Sequence, residues 1–215
     1  MPGVPELLAR LAEGLGLVAV ISGRPTTFLS DVLEAPAGVR LVGLYGLELA
    51  LQGEEAAHWA KQVDDLVAEA MVEAPPGAFV EPKGLTVTLH WRRAPNTRAW
   101  ITAFAERQHD RRGLASVHGR SSIELRPPVE VDKGTVVRTL AGELPTPPGA
   151  VAVFGDDVGD LPAFRAVGAL GAETVVRVAA VDDETPPELA AAADLTVDGA
   201  VGAVALLEEL AQALG

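Results

Sequence analysis

The chain has 215 residues, 48% of them hydrophobic, and its 17 basic and 30 acidic side chains give a formal charge of −13. This charge argues against binding to a nucleic-acid backbone, which needs clustered Lys and Arg, and the absence of Cys excludes disulfides, zinc thiolates and cysteine nucleophiles. No apolar run approaches the roughly 18 residues that span a bilayer, and the first residues lack the pattern of a secretion signal. We therefore expect a globular cytoplasmic protein that binds neither nucleic acid nor membrane.

Short apolar runs alternate with helical patterns at both ends of the chain. The first helix is predicted from the spacing of Leu7, Leu8, Leu11 and Leu15, and it is followed by a strand at 17–21, a helix at 26–33 and a strand at 39–45. The same order returns as helix 133–143, strand 151–154, helix 160–167, strand 174–178, an Ala-rich helix at 189–193 and a C-terminal helix from about residue 200. This alternation predicts an α/β fold with a doubly wound parallel sheet, whose ligands bind beyond the carboxyl ends of the strands.

The middle of the chain has a different pattern of apolar and polar residues. Residues 79–92 alternate apolar and polar side chains, which predicts one antiparallel strand with one face in solvent. A helix is predicted at 97–107 and a second alternating strand at 121–125. We predict an α+β cap domain at residues 51–127, inserted into a core of residues 1–50 and 128–215. His58, His90, His109 and His118 show no ligand spacing, and we interpret them as surface or packing residues.

An acidic loop follows the predicted strand at 151–154. Asp156, Asp157 and Asp160 place three carboxylates where that strand ends. Mg²⁺ prefers oxygen ligands and is commonly held by one or two carboxylates together with water and substrate phosphate. The alternative is a solvated acidic turn, which Gly and Asp favour for backbone reasons.

Two further motifs could bind phosphate. Ser22 follows the strand at 17–21 and precedes a helix, a position where a hydroxyl and backbone amides can hold a phosphate oxygen or simply cap the helix. Lys133 lies in the first turn of a predicted helix, where the helix dipole disfavours a cation. It could neutralise a phosphate and nearby carboxylates, or it could be an exposed lysine.

The predicted cap carries charges of both signs on its strands, at Glu81, Lys83, Glu124 and Arg126. Carboxylates accept hydrogen bonds from sugar hydroxyls, and Lys or Arg can bind an anion. Cross-strand ion pairs on a solvated sheet would give the same pattern.

Together these motifs resemble the trehalose-6-phosphate phosphatases of the haloacid dehalogenase superfamily. The matching stretches are residues 21–24, 81–84, 119–127, 132–134 and 154–157. The resemblance implies a Rossmann-like core of the haloacid dehalogenase type with an α+β cap. It also implies Mg²⁺-dependent hydrolysis of trehalose 6-phosphate through an aspartyl-phosphate, by a protein that we expect to be a monomer.

The resemblance also implies roles for individual residues. Ser22 would hold the transferring phosphoryl group and Lys133 would neutralise it. Asp156 would bind Mg²⁺, with Asp157 and Asp160 as further ligands or as support for them. The implied substrate-binding residues are Arg24, Glu81, Lys83, Arg120, Glu124 and Arg126.

The sequence departs from the family pattern in three places. Tyr45 stands where the family usually has His, and Gly159 and Leu161 replace the usual Thr and Glu. The Asp-x-Asp-Gly-Thr run that carries the family's catalytic aspartates on a first strand is absent from the sequence. We therefore expect a core that lacks this strand, reduced stability because neighbouring backbone groups lose their partners, and no hydrolysis by the chain as written. The first hypothesis is a trehalose-6-phosphate phosphatase whose start is truncated in this sequence. The alternatives are a non-catalytic sugar-phosphate binder and a phosphatase of another sugar phosphate.

Overall fold

The structure, a computed structural model, describes residues 3–183 and 185–215. The chain forms two compact units with boundaries after Gly46 and after Glu130. The core unit combines the two ends of the chain, and the insert unit is the segment Leu47–Glu130, within which the predicted cap of residues 51–127 falls. None of the helices that the structure describes has both the length and the apolar character that crossing a bilayer requires.

The core unit begins with α1 (Val4–Gly14), β1 (Val18–Ile21), α2 (Thr26–Leu33) and β2 (Val39–Val42). The helical spacing of Leu7, Leu8 and Leu11 buries all three side chains. β1 and β2 are parallel neighbours over all four residues of each strand, so that their carboxyl ends lie side by side.

The prediction that the second strand reaches residue 45 is wrong. β2 ends at Val42, and the chain turns through a 3₁₀ helix at Leu44–Gly46. Leu44 and Tyr45 have φ angles of 49° and 57°, which are left-handed values that a strand cannot contain. The apolar run continues through these residues, but the strand does not.

The insert unit follows as α3 (Leu47–Ala50), α4 (Gly53–Glu73), β3 (Phe79–Pro82), β4 (Val87–His90), α5 (Arg98–Arg112), β5 (Ala115–Gly119) and β6 (Ser122–Arg126). Its antiparallel sheet has the strand order β3-β4-β6-β5. Side chains from α4, α5 and the sheet form its core, among them Leu66, Ile101, Phe104 and Ile123. The unit is therefore α+β, as predicted, although α3, α4 and β5 were not among the predicted elements.

The prediction of one strand at 79–92 is also wrong. β3 and β4 form a hairpin in which Phe79 lies opposite His90, and the chain reverses near Gly84, whose φ of 77° suits glycine. The expected solvent face is absent from most of β4, because Thr88 is buried together with Val87 and Leu89.

Glu69 of α4 joins this helix to α5. Its carboxylate accepts hydrogen bonds from Gln108 at 2.8 Å, Arg111 at 2.7 Å and Arg112 at 3.0 Å. Burial opposes the ionised form of Glu69, but the hydrogen bonds from Gln108 and Arg112 and the charges of both arginines outweigh it and lower the pKa of Glu69. The ionised carboxylate therefore stabilises the contact between the two helices.

The core unit resumes with α6 (Lys133–Gly142), β7 (Ala150–Gly155), α7 (Leu161–Val167), β8 (Thr174–Val181), α8 (Pro187–Ala192), β9 (Leu195–Asp198) and α9 (Gly199–Leu214). β7, β8 and β9 form a parallel sheet in that order. Three consecutive residues of β8, Val178, Ala179 and Ala180, are buried, so both faces of this strand are covered. This is the environment of a strand in a doubly wound sheet.

The parallel strands of the core unit form two sheets. One contains β1 and β2, and the other contains β7, β8 and β9. Within residues 3–183 and 185–215, β1 and β7 each pair along one edge only, because no described strand joins them. Both sheets nevertheless belong to the core unit, and α1 and α9 pack against each other and against strands of their own sheets.

Candidate active site

Ser22 is held at the carboxyl end of β1. Its backbone N–H donates to the carbonyl oxygen of Val42 at 3.0 Å, and its Oγ accepts the N–H of Arg24 at 3.1 Å. Ser22 does not cap α2, whose N-cap residue is Pro25. A nearby hydroxyl, Thr26 Oγ1, accepts the N–H of Gly43 at 2.9 Å. The serine loop, residues 22–25, is thus fastened to the end of β2.

Lys133 begins α6 directly after its N-cap residue, Asp132, whose carboxylate accepts the N–H of Thr135 at 2.7 Å. The Lys133 side chain forms an ion pair with Asp160 and is only 15% exposed. The alternative of an exposed lysine is therefore wrong. A buried carboxylate accounts for a cation at a helix position where the dipole alone would disfavour it.

Asp160 organises the acidic loop, residues 155–160. One of its oxygens accepts the backbone N–H groups of Asp156 at 2.9 Å and Asp157 at 3.1 Å, and the other pairs with Lys133. Asp157 accepts the N–H of Val158 at 2.6 Å and so caps the short 3₁₀ turn that follows. Both carboxylates thus have partners within the fold, but only Asp160 is buried, and Asp156 and Asp157 are both exposed to solvent.

The charges of this loop act on Asp156. Partial burial of the carboxyl group and the negative charge of Asp160 raise the pKa of Asp156, with a further contribution from Asp157 and an opposing one from Lys133. A cation bound beside Asp156 would relieve this repulsion. The described part of the chain holds no group of three His, Cys, Asp or Glu side chains arranged to enclose a metal ion.

Tyr45 connects the serine loop to Lys133. Its backbone N–H donates to the carbonyl oxygen of Ser22 at 2.8 Å, and Lys133 Nζ lies 5.9 Å from the centre of its ring. Lys133 in turn pairs with Asp160, which holds the backbone of Asp156. We call these five residues the core cluster. Ser22, Lys133 and Asp156 were predicted to lie together, and this series of contacts links them.

The insert unit brings together charged residues of three strands. Lys83 Nζ lies 3.3 Å from Glu124 and 3.7 Å from Glu81, and Thr88 Oγ1 donates to Glu124 at 3.2 Å. His90 Nε2 is 2.9 Å from the same Glu81 oxygen that faces Lys83. We call these five residues the insert cluster. Two carboxylates are thus held in place by a cation, a hydroxyl and an imidazole.

His90 and Thr88 were missed by the sequence analysis. His90 was interpreted as a surface or packing residue; its side chain is 32% exposed and contacts Glu81 directly. Glu81 lies opposite Thr88, which lies opposite Glu124 in turn, and residues opposite each other in an antiparallel sheet project from the same face. A correct prediction of the hairpin would have placed these side chains together.

The three predicted substrate-binding arginines lie in different places. Arg24 is an exposed residue of the serine loop, and its guanidinium lies 5.3 Å from the centre of the Phe28 ring. Arg120 is exposed in the turn between β5 and β6. Arg126 ends β6, is buried, and donates to the carbonyl oxygen of Val129 at 3.3 Å.

Comparison with known proteins identifies the family. Residues 2–196 match the trehalose-phosphatase family. The chain is 34% identical over 188 residues to the trehalose-phosphate phosphatase of Mycobacterium tuberculosis strain H37Rv, covering 82% of this chain and 48% of that protein. It is 31% identical over 179 residues to a probable trehalose-phosphate phosphatase of Sinorhizobium fredii, covering 79% and 66%. The chain thus spans about half the length of the mycobacterial relative.

Solved structures show the same fold. A crystal structure of a trehalose-6-phosphate phosphatase related protein superposes with a TM-score of 0.74 at 21% identity, over 99% of this chain and 88% of that one. The C-terminal domain of the trehalose-6-phosphate phosphatase of C. albicans gives 0.68 at 20% identity, over 100% and 86%. A haloacid dehalogenase-like hydrolase from Bacteroides thetaiotaomicron gives 0.63 at 15%, over 96% and 91%. The chain belongs to the trehalose-phosphatase family.

Proposed function

We propose that these residues form the phosphate- and sugar-binding part of a Mg²⁺-dependent phosphatase that hydrolyses trehalose 6-phosphate to trehalose and phosphate. The observation that carries the proposal is the core cluster, in which the backbone of Ser22, a lysine and carboxylates at strand ends lie within one series of contacts. Ligands of parallel α/β folds bind at this edge of the sheet. Membership of the trehalose-phosphatase family supports the choice of substrate.

The core cluster is proposed to bind the phosphoryl group. The Ser22 hydroxyl can donate to a phosphoryl oxygen, and the Lys133 ammonium can neutralise its negative charge. Asp160 keeps Lys133 in place through an ion pair of which the side chains are 15% and 5% exposed. Because little water screens this pair, the lysine is positioned before a ligand arrives.

The acidic loop is compatible with Mg²⁺. Asp156 offers an exposed carboxylate whose pKa is raised by partial burial and by the negative charge of Asp160, and Mg²⁺ is commonly bound by one or two carboxylates together with water and substrate phosphate. Asp156 is thus the proposed ligand. Asp160 holds the backbone of the loop by accepting two of its N–H groups. Asp157 is proposed as a further ligand or as support for Asp156. A bound Mg²⁺ would neutralise charge on the phosphoryl oxygens.

The insert cluster is proposed to bind the sugar. Glu81 and Glu124 can accept hydrogen bonds from sugar hydroxyls. Lys83 pairs with both carboxylates and offsets their mutual repulsion, while Thr88 and His90 contact one oxygen of each. Arg24, Arg120 and Arg126 are proposed as further substrate contacts.

The 215 residues alone are proposed to bind the substrate without hydrolysing it. The family chemistry needs an aspartate nucleophile and a second aspartate as acid and base, and the sequence contains no Asp-x-Asp-Gly-Thr run that would supply them. This favours a sugar-phosphate binder as the function of this chain in isolation. A phosphatase assay with Mg²⁺ should then release no phosphate from trehalose 6-phosphate.

Calorimetric titration tests the substrate. With Mg²⁺ present, trehalose 6-phosphate should bind more tightly than glucose 6-phosphate, because the second glucose unit adds hydroxyl contacts. Glu124→Gln should weaken the binding of trehalose 6-phosphate but leave inorganic phosphate unaffected. Equal affinity for the two sugar phosphates would favour another substrate, and no binding of either would contradict the proposal.

A further inference from the structure

The side chain of Tyr45 lies where three segments of the core unit meet. A Cβ atom placed on Gly23 of the serine loop would be 2.5 Å from Cζ of the ring. A Cβ atom on Gly159 of the acidic loop would be 3.7 Å from Cε1, which is ordinary van der Waals contact. The ammonium of Lys133 lies 5.9 Å from the ring centre. One aromatic ring therefore contacts both loops and the lysine.

The backbone of Tyr45 fixes the direction of this ring. Leu44 and Tyr45 have φ angles of 49° and 57°, which side chains with a Cβ atom disfavour. The serine loop holds both residues in this conformation, since Tyr45 N–H donates to Ser22 O at 2.8 Å and Leu44 N–H donates to Arg24 O at 3.1 Å. A strained backbone of this kind persists only where its surroundings impose it, often at functional sites.

Two attractions act on the Lys133 ammonium. Asp160 attracts it toward the acidic loop, and the negative face of the Tyr45 ring attracts it from the side of the serine loop. The lysine side chain is 15% exposed, so water screens these attractions only in part. Without the ring, the ammonium could move toward the carboxylates and away from Ser22.

We infer that Tyr45 is a positioning residue, whose ring face holds the Lys133 ammonium beside the serine loop, where it neutralises a bound phosphoryl group. This inference rests on the proposed function, because it assumes that the core cluster binds phosphate. It assigns the aromatic ring a role that the phenol oxygen need not share. Tyr45→Phe should therefore preserve the role, and Tyr45→Leu should abolish it.

The first test needs no ligand. The sequence contains three lysines, Lys61, Lys83 and Lys133, so protein labelled with ¹³C-lysine gives three sets of ε-methylene signals. The set that is missing from the spectrum of Lys133→Met belongs to Lys133. Nuclei above an aromatic face are shielded, so the Lys133 signals should lie upfield in wild type and in Tyr45→Phe. They should move downfield in Tyr45→Leu. Identical Lys133 signals in all three proteins would overturn the inference.

The second test is titration with inorganic phosphate. The affinity of Tyr45→Phe should stay within about twofold of wild type, and that of Tyr45→Leu should fall about three- to fivefold, as loss of a cation–π contact predicts. Should Tyr45→Leu not fold, phenylalanines with increasing fluorine substitution at position 45 weaken the ring face and keep its shape. Phosphate affinity should then fall stepwise with fluorine number.

The two hypotheses fail in different ways. If wild type binds phosphate and neither the Leu nor the fluorinated variants bind it more weakly, the positioning role is contradicted and the proposed function stands. A wild-type protein that binds no phosphate contradicts the proposed function. The positioning of Lys133 is then decided by the lysine signals alone, which are recorded without ligand.

Discussion

Removal of the Lys133 ammonium should destabilise the core unit strongly. Lys133→Met keeps most of the aliphatic stem but leaves Asp160, which is 3% exposed, as a buried carboxylate without its cation. Deleting one partner of a buried ion pair costs about 3–5 kcal/mol. Asp160 keeps the backbone N–H groups of Asp156 and Asp157 as donors, so we expect the lower end, about 3 kcal/mol.

Lys61→Met is the matched control. Lys61 pairs with Asp65 at 2.9 Å, one helical turn away, but these side chains are 76% and 53% exposed. An exposed pair at this spacing contributes about 0.3–0.5 kcal/mol. The same chemical change should thus have a much smaller effect at a surface position.

Urea unfolding followed by far-UV circular dichroism at pH 7 measures both variants. The midpoint should fall clearly for Lys133→Met and barely for Lys61→Met, with similar slopes. If Lys133→Met is as stable as Lys61→Met, the ion pair with Asp160 does not organise the acidic loop, and the reasoning that links Lys133 to the site is refuted.

Three further predictions concern stability. In α6, a Cβ atom on Gly134 would be 2.5 Å from a backbone oxygen of α7, whereas a Cβ atom on Gly142 would meet nothing within 4 Å. Gly134→Ala should therefore be destabilised, and Gly142→Ala should be stabilised by about 0.5–1 kcal/mol, as measured by thermal unfolding. Thr86 Oγ1 is buried without a hydrogen bond, so Thr86→Val should be neutral or stabilise the insert unit by about 1 kcal/mol. Thr88→Val removes the hydrogen bond to Glu124 and should destabilise the unit. In urea unfolding followed by tryptophan fluorescence, the midpoint should fall for Thr88→Val and should stay the same or rise for Thr86→Val. Because the pKa of Glu69 is lowered in the folded protein, the ionised carboxylate stabilises the fold at neutral pH, and this stabilisation is lost as the pH falls through the folded pKa. Glu69→Gln should therefore have a lower free energy of unfolding than wild type at pH 7. A difference in unfolding free energy between the two proteins that does not narrow in acid would contradict this.

The alternating ends of the chain could be predicted because their apolar patterns are strong. Each predicted helix and strand of the core unit has a counterpart within a few residues. The errors occur where backbone geometry overrides hydrophobic pattern. Residues 43–45 continue an apolar run, but the left-handed angles of Leu44 and Tyr45 end the strand. β9 was missed because its four residues, Leu195–Asp198, show too little periodicity.

The candidate site was partly predictable for a related reason. Ser22, Lys133 and Asp156 each lie next to the end of a strand or the start of a helix, and topology brings such positions together. Side-chain contacts between distant segments were not predictable. The sequence does not show that the Asp160 carboxylate would be bound by Lys133 and two backbone amides.

The most direct test of the account is the Mg²⁺ dependence of trehalose 6-phosphate binding in wild type and Asp156→Asn, measured by calorimetry. A carboxylate that holds the cation beside the phosphoryl group predicts that Mg²⁺ strengthens binding about tenfold or more in wild type. In Asp156→Asn this enhancement should disappear, while the affinity measured without Mg²⁺ stays close to that of wild type or improves. An undiminished Mg²⁺ effect in Asp156→Asn would contradict the claim that the core cluster is a magnesium-dependent phosphoryl site.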